Sequence, residues 1–211
     1  MCIRDSADTI SKLSSSIKII ANGAVGFGNI DIKAAKEKGI TVTNTPDVLT
    51  DATADIQILL LLGASRKAYE GRLAAETQSW KWSWDFLLGK QMSNKKLGIL
   101  GMGRIGRAVA KRAKAFNMEI HYHNRSKLTP DLEDGAIYHN DLKSLLEQSE
   151  FLSINCPASP ETTKLINQET LSYLKENSVV ANAARGDIVD DDAMIEALKS
   201  GKVFAYGLDV Y

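Results

Sequence analysis

Apolar residues along the chain follow two spacings. Short runs rich in β-branched and aliphatic residues fall at 17–21, 96–101, 119–124, 136–139, 151–156, 178–183 and 203–208. Between the later ones, segments 104–116, 141–148, 168–175 and 190–200 repeat apolar residues three to four apart, the helical period. Six strands alternating with helices predict an α/β fold with a doubly wound parallel sheet. Upstream, "IKIIANGAVGFG" gives a strand entering a glycine-rich loop, "NIDIKAAKEKG" a helix closed by Gly39, and "ITVTNTP" a strand stopped by Pro46. That is a further βαβ unit.

Between these parts, the spacing predicts one long helix from about Ala52 to Ala75, with Thr50 or Asp51 as its cap. Ile56 to Leu62 is apolar nearly all round, which predicts burial between domains or subunits. "ETQSWKWSWDFLLGKQMSN" holds all three tryptophans, Trp80, Trp82 and Trp84, without a regular pattern, as expected of a connecting arm. The resulting division is 1–50, 51–93 and 94–211.

Composition narrows the classes of function. The 211 residues are 44% hydrophobic and 25% charged, as in an ordinary globular protein. Lys plus Arg and Asp plus Glu both number 26, so no net field draws the chain to nucleic acid or an anionic membrane. No apolar run approaches the ~20 residues of a membrane span. The first residues lack the apolar stretch of a signal peptide. The two cysteines, Cys2 and Cys156, stand far apart, which excludes a paired metal motif and suits a reducing compartment. A cytoplasmic location is expected.

The chemistry begins at "GILGMGRIG", where Gly101, Gly103 and Gly106 follow a strand and open a helix. A lone glycine triplet is weak evidence. In this context the first glycine suits a tight turn, the second admits a pyrophosphate to the backbone, and the third allows close helix packing, a Rossmann-type dinucleotide site. About twenty residues on, such sites use an acid to hold the ribose 2′-hydroxyl of NAD. Asn124, Arg125 and Ser126 stand there instead. A cation with hydrogen-bond donors suits the 2′-phosphate of NADPH; the alternative is that Arg125 is a solvated turn residue.

These stretches, together with "LTDATADIQILLLL", "NCPASPETTKLIN", "NAARGDIVDDDAMIEAL" and "AYGLDVY", resemble the D-isomer-specific 2-hydroxyacid dehydrogenases, in particular the glyoxylate/hydroxypyruvate reductase branch. The resemblance runs from about residue 16 onward. It implies a Rossmann-type nucleotide-binding domain at 94–211, a helix and dimerisation arm at 51–93, and part of a smaller flavodoxin-like substrate domain at 1–50. It also implies NADPH-dependent reduction of a small 2-oxoacid by a homodimer.

Residue by residue, the resemblance assigns Arg185 to the substrate's carboxylate and keto oxygen, with backbone N–H groups of Val25 and Gly26 on the same carboxylate. It assigns Met102, Gly103, Arg104 and Ile105 to the pyrophosphate, Asn124 to Ser126 to the 2′-phosphate, and Cys156, Pro157 and Thr162 to the adenosine side. Ala183, Ala184 and Asp209 would line the nicotinamide, with Thr53 reaching the cofactor across the cleft. From the residues alone, Arg185 could equally be a surface cation, the "GAVGFG" glycines simple turns, and Cys156 a buried core residue.

The family's acid is a histidine supported by a glutamate, both after "GLDVY". The chain stops at Tyr211, so the expectation is a piece of a longer enzyme, lacking that segment and the first substrate-domain units and inactive by itself. His121, His123 and His139 fall on the second and third nucleotide-domain strands and are not expected to substitute. Two rivals remain. A phosphoglycerate- or formate-type dehydrogenase would be expected to carry an acid at 124 or 125. A nucleotide-sensing module would need no Arg185.

Overall fold

The computed structural model describes residues 5–211, and Cys2 lies outside the described residues. The chain divides into two units, Met1–Leu49 and Thr50–Tyr211. In the first, α1 (Ala7–Ser11), β1 (Ile19–Ala21), α2 (Ile32–Glu37) and β2 (Thr41–Thr43) form a small βαβ layer in which β1 and β2 pair in parallel. Asp31 caps α2 by accepting from the Ala34 N–H. Ile10, Ile30, Ala35 and Ile40 are its buried core. The apolar spacing does not predict helix α1; its five residues are too few to show a period, and the cap at Ser6 is a weak local signal.

The second unit is a six-stranded parallel sheet of β3 (Lys96–Leu100), β4 (Glu119–His123), β5 (Ile137–His139), β6 (Phe151–Ile154), β7 (Ser178–Asn182) and β8 (Val203–Leu208). Their spatial order is β5-β4-β3-β6-β7-β8. Strands β6 and β7 are buried throughout, which explains why their sequences read as unbroken apolar runs. The order reverses between β3 and β6, and a doubly wound sheet opens its ligand crevice there, beyond the strands' carboxyl ends. Helices α5 (Arg104–Lys114), α7 (Leu142–Gln148), α8 (Gln168–Tyr173) and α9 (Asp191–Ser200) end close to their predicted limits. The short α6 (Pro130–Glu133) completes the set.

The predicted single helix from Ala52 to Ala75 is two, α3 (Thr50–Ser65) and α4 (Ala68–Glu76). At the break, Lys67 takes a left-handed φ of 52°. The Ser65 carbonyl accepts from the Lys90 N–H at 2.7 Å, so the returning arm takes an acceptor that a continuing helix would need. Thr50 and Asp51 are the first helical residues rather than the cap. Within the single chain α3 buries one stripe. Ala54, Gln57, Leu61 and Ser65, three to four apart, form its buried stripe, while Leu59 is 62% exposed.

Candidate functional site

The glycine-rich turn after β3 is built by steric necessity. Gly101 has φ +95°, and a Cβ there would lie 2.5 Å from the Cys156 backbone nitrogen. A Cβ at Gly106 would lie 2.3 Å from the Gly101 carbonyl oxygen, so only glycine lets α5 pack this tightly on the turn. Gly103 differs: a Cβ there would meet nothing within 4 Å. It precedes Arg104 and Ile105 as the N-cap of α5, and no side chain caps the helix. The first-turn backbone and the positive end of an eleven-residue helix therefore adjoin open space at Gly103, a cradle of the right chemistry for a diphosphate. The Met102 side chain is buried in the core, which leaves its backbone to serve the turn.

Asn124, Arg125 and Ser126 follow β4 directly. The Asn124 Oδ1 accepts from the Met102 N–H at 2.7 Å, tying this segment to the glycine turn. Arg125 and Ser126 are exposed. The Glu161 carboxyl is held below its ordinary value chiefly by the Ser159 hydroxyl and in smaller part by the positive charge of Arg125. Arg125 thus acts electrostatically on the loop after β6. In that loop Thr162 donates to the Pro157 carbonyl at 2.8 Å and accepts from the Ser159 N–H at 2.7 Å, fixing the turn. Cys156 is buried against Gly101, and burial pushes its thiol up to about 11.

The third wall is the turn after β7. Asn182 is fully buried, with its Nδ2 donating to the Arg185 carbonyl and its Oδ1 accepting from the Ala184 N–H, both at 2.9 Å. The Asp209 N–H donates to the Asn182 carbonyl at 3.0 Å. One amide therefore shapes the turn that carries Ala183, Ala184 and Arg185 and lies beside Asp209. Arg185 is exposed and heads the 3-10 turn Gly186–Ile188. Sequence reasoning passes over Asn182, although a polar amide ending the apolar run "SVVAN" is a readable signal.

Thr53 lies on α3, half-buried, in the same unit. Val25 and Gly26 belong to the first unit, where their carbonyls accept from Asn44 and Asn22, each at 2.9 Å. The histidines serve a separate cluster. His121 bonds Glu119 at 2.6 Å and His139 at 2.9 Å, and His123 donates to the His139 carbonyl. Burial holds the His121 and His139 rings below the ordinary histidine value. Among the described residues no helix is long and apolar enough to cross a membrane, and no group of three or more metal-ligating side chains converges.

Comparison with known proteins agrees with this geometry. The model of the D-isomer specific 2-hydroxyacid dehydrogenase NAD binding domain matches residues 58–211. The chain is 43% identical over 205 residues to 4-methyl-2-oxopentanoate reductase A of Aspergillus oryzae, covering 97% of this chain and 61% of that protein. It is 43% identical over 200 residues to a glyoxylate reductase of Pyrococcus horikoshii, covering 92% and 60%. A crystal structure of a glyoxylate reductase from Paecilomyes thermophila superposes with a TM-score of 0.91 at 44% identity, over 99% of this chain and 62% of that one. The chain thus spans about three-fifths of the length of the relatives it matches. With the glycine cradle, the sheet order and the family model in agreement, the chain belongs to the D-isomer specific 2-hydroxyacid dehydrogenase family.

Proposed function

We propose that the whole protein reduces a small 2-oxoacid of the glyoxylate or hydroxypyruvate kind to the D-2-hydroxyacid, with NADPH preferred over NADH. The observation that carries this reading is the pairing of an uncapped α5 N-terminus at Gly103 with a cation and a hydroxyl, Arg125 and Ser126, at the end of β4. A 2′-phosphate is attracted by that pair and would be repelled by a carboxylate. When bound, the cofactor supplies the hydride that reduces the C2 carbonyl.

The chain's own residues supply binding and orientation. Gly103 to Ile105 offer their backbone to the pyrophosphate, Met102 shapes the turn with its N–H held by Asn124, and Asn124 to Ser126 serve the 2′-phosphate. Cys156, Pro157 and Thr162 border the adenosine, while Ala183, Ala184, Asp209 and Thr53 serve the nicotinamide side. The planar Arg185 guanidinium pairs with the carboxylate of the 2-oxoacid and polarises its keto oxygen.

The exposed apolar surface supports a two-fold homodimer. Leu59 is 62% exposed, and Trp80, Trp82 and Trp84 are 56, 74 and 90% exposed, a surface that a partner copy would cover. We place the protein in the cytoplasm. The test is turnover by the full-length gene product with NADPH and glyoxylate or hydroxypyruvate. Reduction of either supports the reading; tight nucleotide binding without reduction of any 2-oxoacid points to a sensor instead.

A further inference from the structure

The segment proposed to read the 2′-phosphate lacks secondary structure of its own, and its order comes from elsewhere. Between β4 and α6, residues Arg125, Ser126 and Lys127 form an exposed arch. Its upstream end is tied where Asn124 accepts from Met102. Its downstream end is tied from below: the Leu128 N–H donates to the Tyr122 hydroxyl at 3.0 Å, and that hydroxyl donates to Glu133 Oε1 at 2.6 Å. Tyr122 is fully buried, its ring packed against Tyr138 with centroids 5.3 Å apart. The other Glu133 oxygen lies 3.8 Å from the Lys127 ammonium. One core hydroxyl and one carboxylate therefore fix the far end of a cationic loop.

We infer that Tyr122 and Glu133 are positioning residues for cofactor selectivity, holding the Arg125–Lys127 arch ready for a 2′-phosphate that neither residue touches. The inference rests on the proposed NADPH preference. A hydrogen bond from a buried phenol to a carboxylate is charge-assisted and short, stronger than an ordinary neutral bond. Removing the hydroxyl keeps the ring in its packing and takes a partner from the half-buried Leu128 N–H and from Glu133, whose side chain is 12% exposed and keeps Lys127 at 3.8 Å. The arch would then have to be ordered at the moment of binding, and that cost falls on the ligand needing Arg125 and Ser126. A nucleotide without a 2′-phosphate relies on the glycine turn, which keeps its own tie through Asn124.

The test is titration calorimetry of the full-length protein with 2′-phospho-ADP-ribose and with ADP-ribose, probes that differ only in the phosphate. The wild-type chain is expected to favour the phosphorylated probe. Tyr122→Phe should cut that preference by about tenfold, with ADP-ribose affinity held within about twofold, as expected for the ordering of one or two side chains. Glu133→Ala, which leaves the tyrosine in place, should act in the same direction. Glu133→Gln, which keeps an acceptor for the phenol, should restore most of the preference.

A wild-type chain that binds both probes equally, or neither, removes the NADPH reading and this inference with it. A selective wild type whose preference survives both Tyr122→Phe and Glu133→Ala overturns the inference alone. Equal weakening of both probes also overturns it, because that is what general loosening of the sheet edge would produce. Should Tyr122→Phe fail to fold, Glu133→Ala alone decides: a reduced preference supports the inference, and an unchanged one overturns it.

Discussion

The chain has two glycine-rich loops after strands, and they are glycine-rich for different reasons. In "GMGRIG", Gly101 and Gly106 are demanded by their own unit: an added Cβ would strike backbone at 2.5 and 2.3 Å. In "NGAVGFGN", a Cβ on Gly23 or Gly28 would meet nothing within 4 Å. The first loop is a packed turn with one open position, Gly103. The second is open at Gly23 and Gly28, and packing within the Met1–Leu49 unit does not account for the choice of those two. A glycine motif read as letters conflates steric need with room for a ligand; the space around each glycine separates them.

That contrast can be broken by substitution. Gly106→Ala should cost ~3 kcal/mol or more or prevent folding, because the clash is with backbone that cannot rotate away. Thermal denaturation checks this, and a variant within ~1 kcal/mol of wild type would sink the steric account. Gly103→Ala should change stability by only a few tenths of a kcal/mol, the usual scale for this swap at a flanking position. Its nucleotide affinity should nevertheless fall at least about tenfold, since the methyl stands where a diphosphate approaches the backbone. A variant that binds nucleotide normally would show that the cradle is not used.

Acid sharpens the comparison between the two units, because all three histidines lie in the second. The folded values of His121 and His139 sit below the ordinary 6.5, chiefly through burial. Below 6.5 the unfolded chain binds more protons than the folded one. The stability these neutral rings contribute is therefore complete above about 6.5 and is lost as pH falls through their lowered folded values. The melting temperature of the Thr50–Tyr211 unit should begin to drop below about pH 6.5, and His139→Asn should blunt the drop. A flat profile down to the carboxylate range would contradict this. The smallest effect is expected at Gly28→Ala, where stability should stay within ~0.5 kcal/mol. A larger loss would mean that this loop is packed after all.

Much of the second unit is legible in the sequence, because buried parallel strands announce themselves as unbroken apolar runs and Gly101, Gly103 and Gly106 mark the turn. The sequence is less informative wherever a tertiary hydrogen bond overrides local preference. The break at Lys67 depends on Lys90 reaching back to the Ser65 carbonyl, and no local pattern announces that. The polar supports of the site are equally hidden. Tyr122 and Gln57 read as members of apolar segments, and only the folded chain shows Tyr122 accepting from Leu128 or Gln57 donating to Ser153 and Ala181; Asn182 stands out as an amide, but its hold on the Arg185 turn does not.

The central claim is that the end of β4 selects a 2′-phosphorylated nucleotide, and titration of the full-length protein with NADPH and NADH, as wild type and as Arg125→Asp, tests it most directly. A charged hydrogen bond is worth roughly 1.5–3 kcal/mol, so the wild type should favour NADPH by about one to two decades and Arg125→Asp should reverse the order. Equal affinities in the wild type, or an order unchanged by the substitution, would contradict the account.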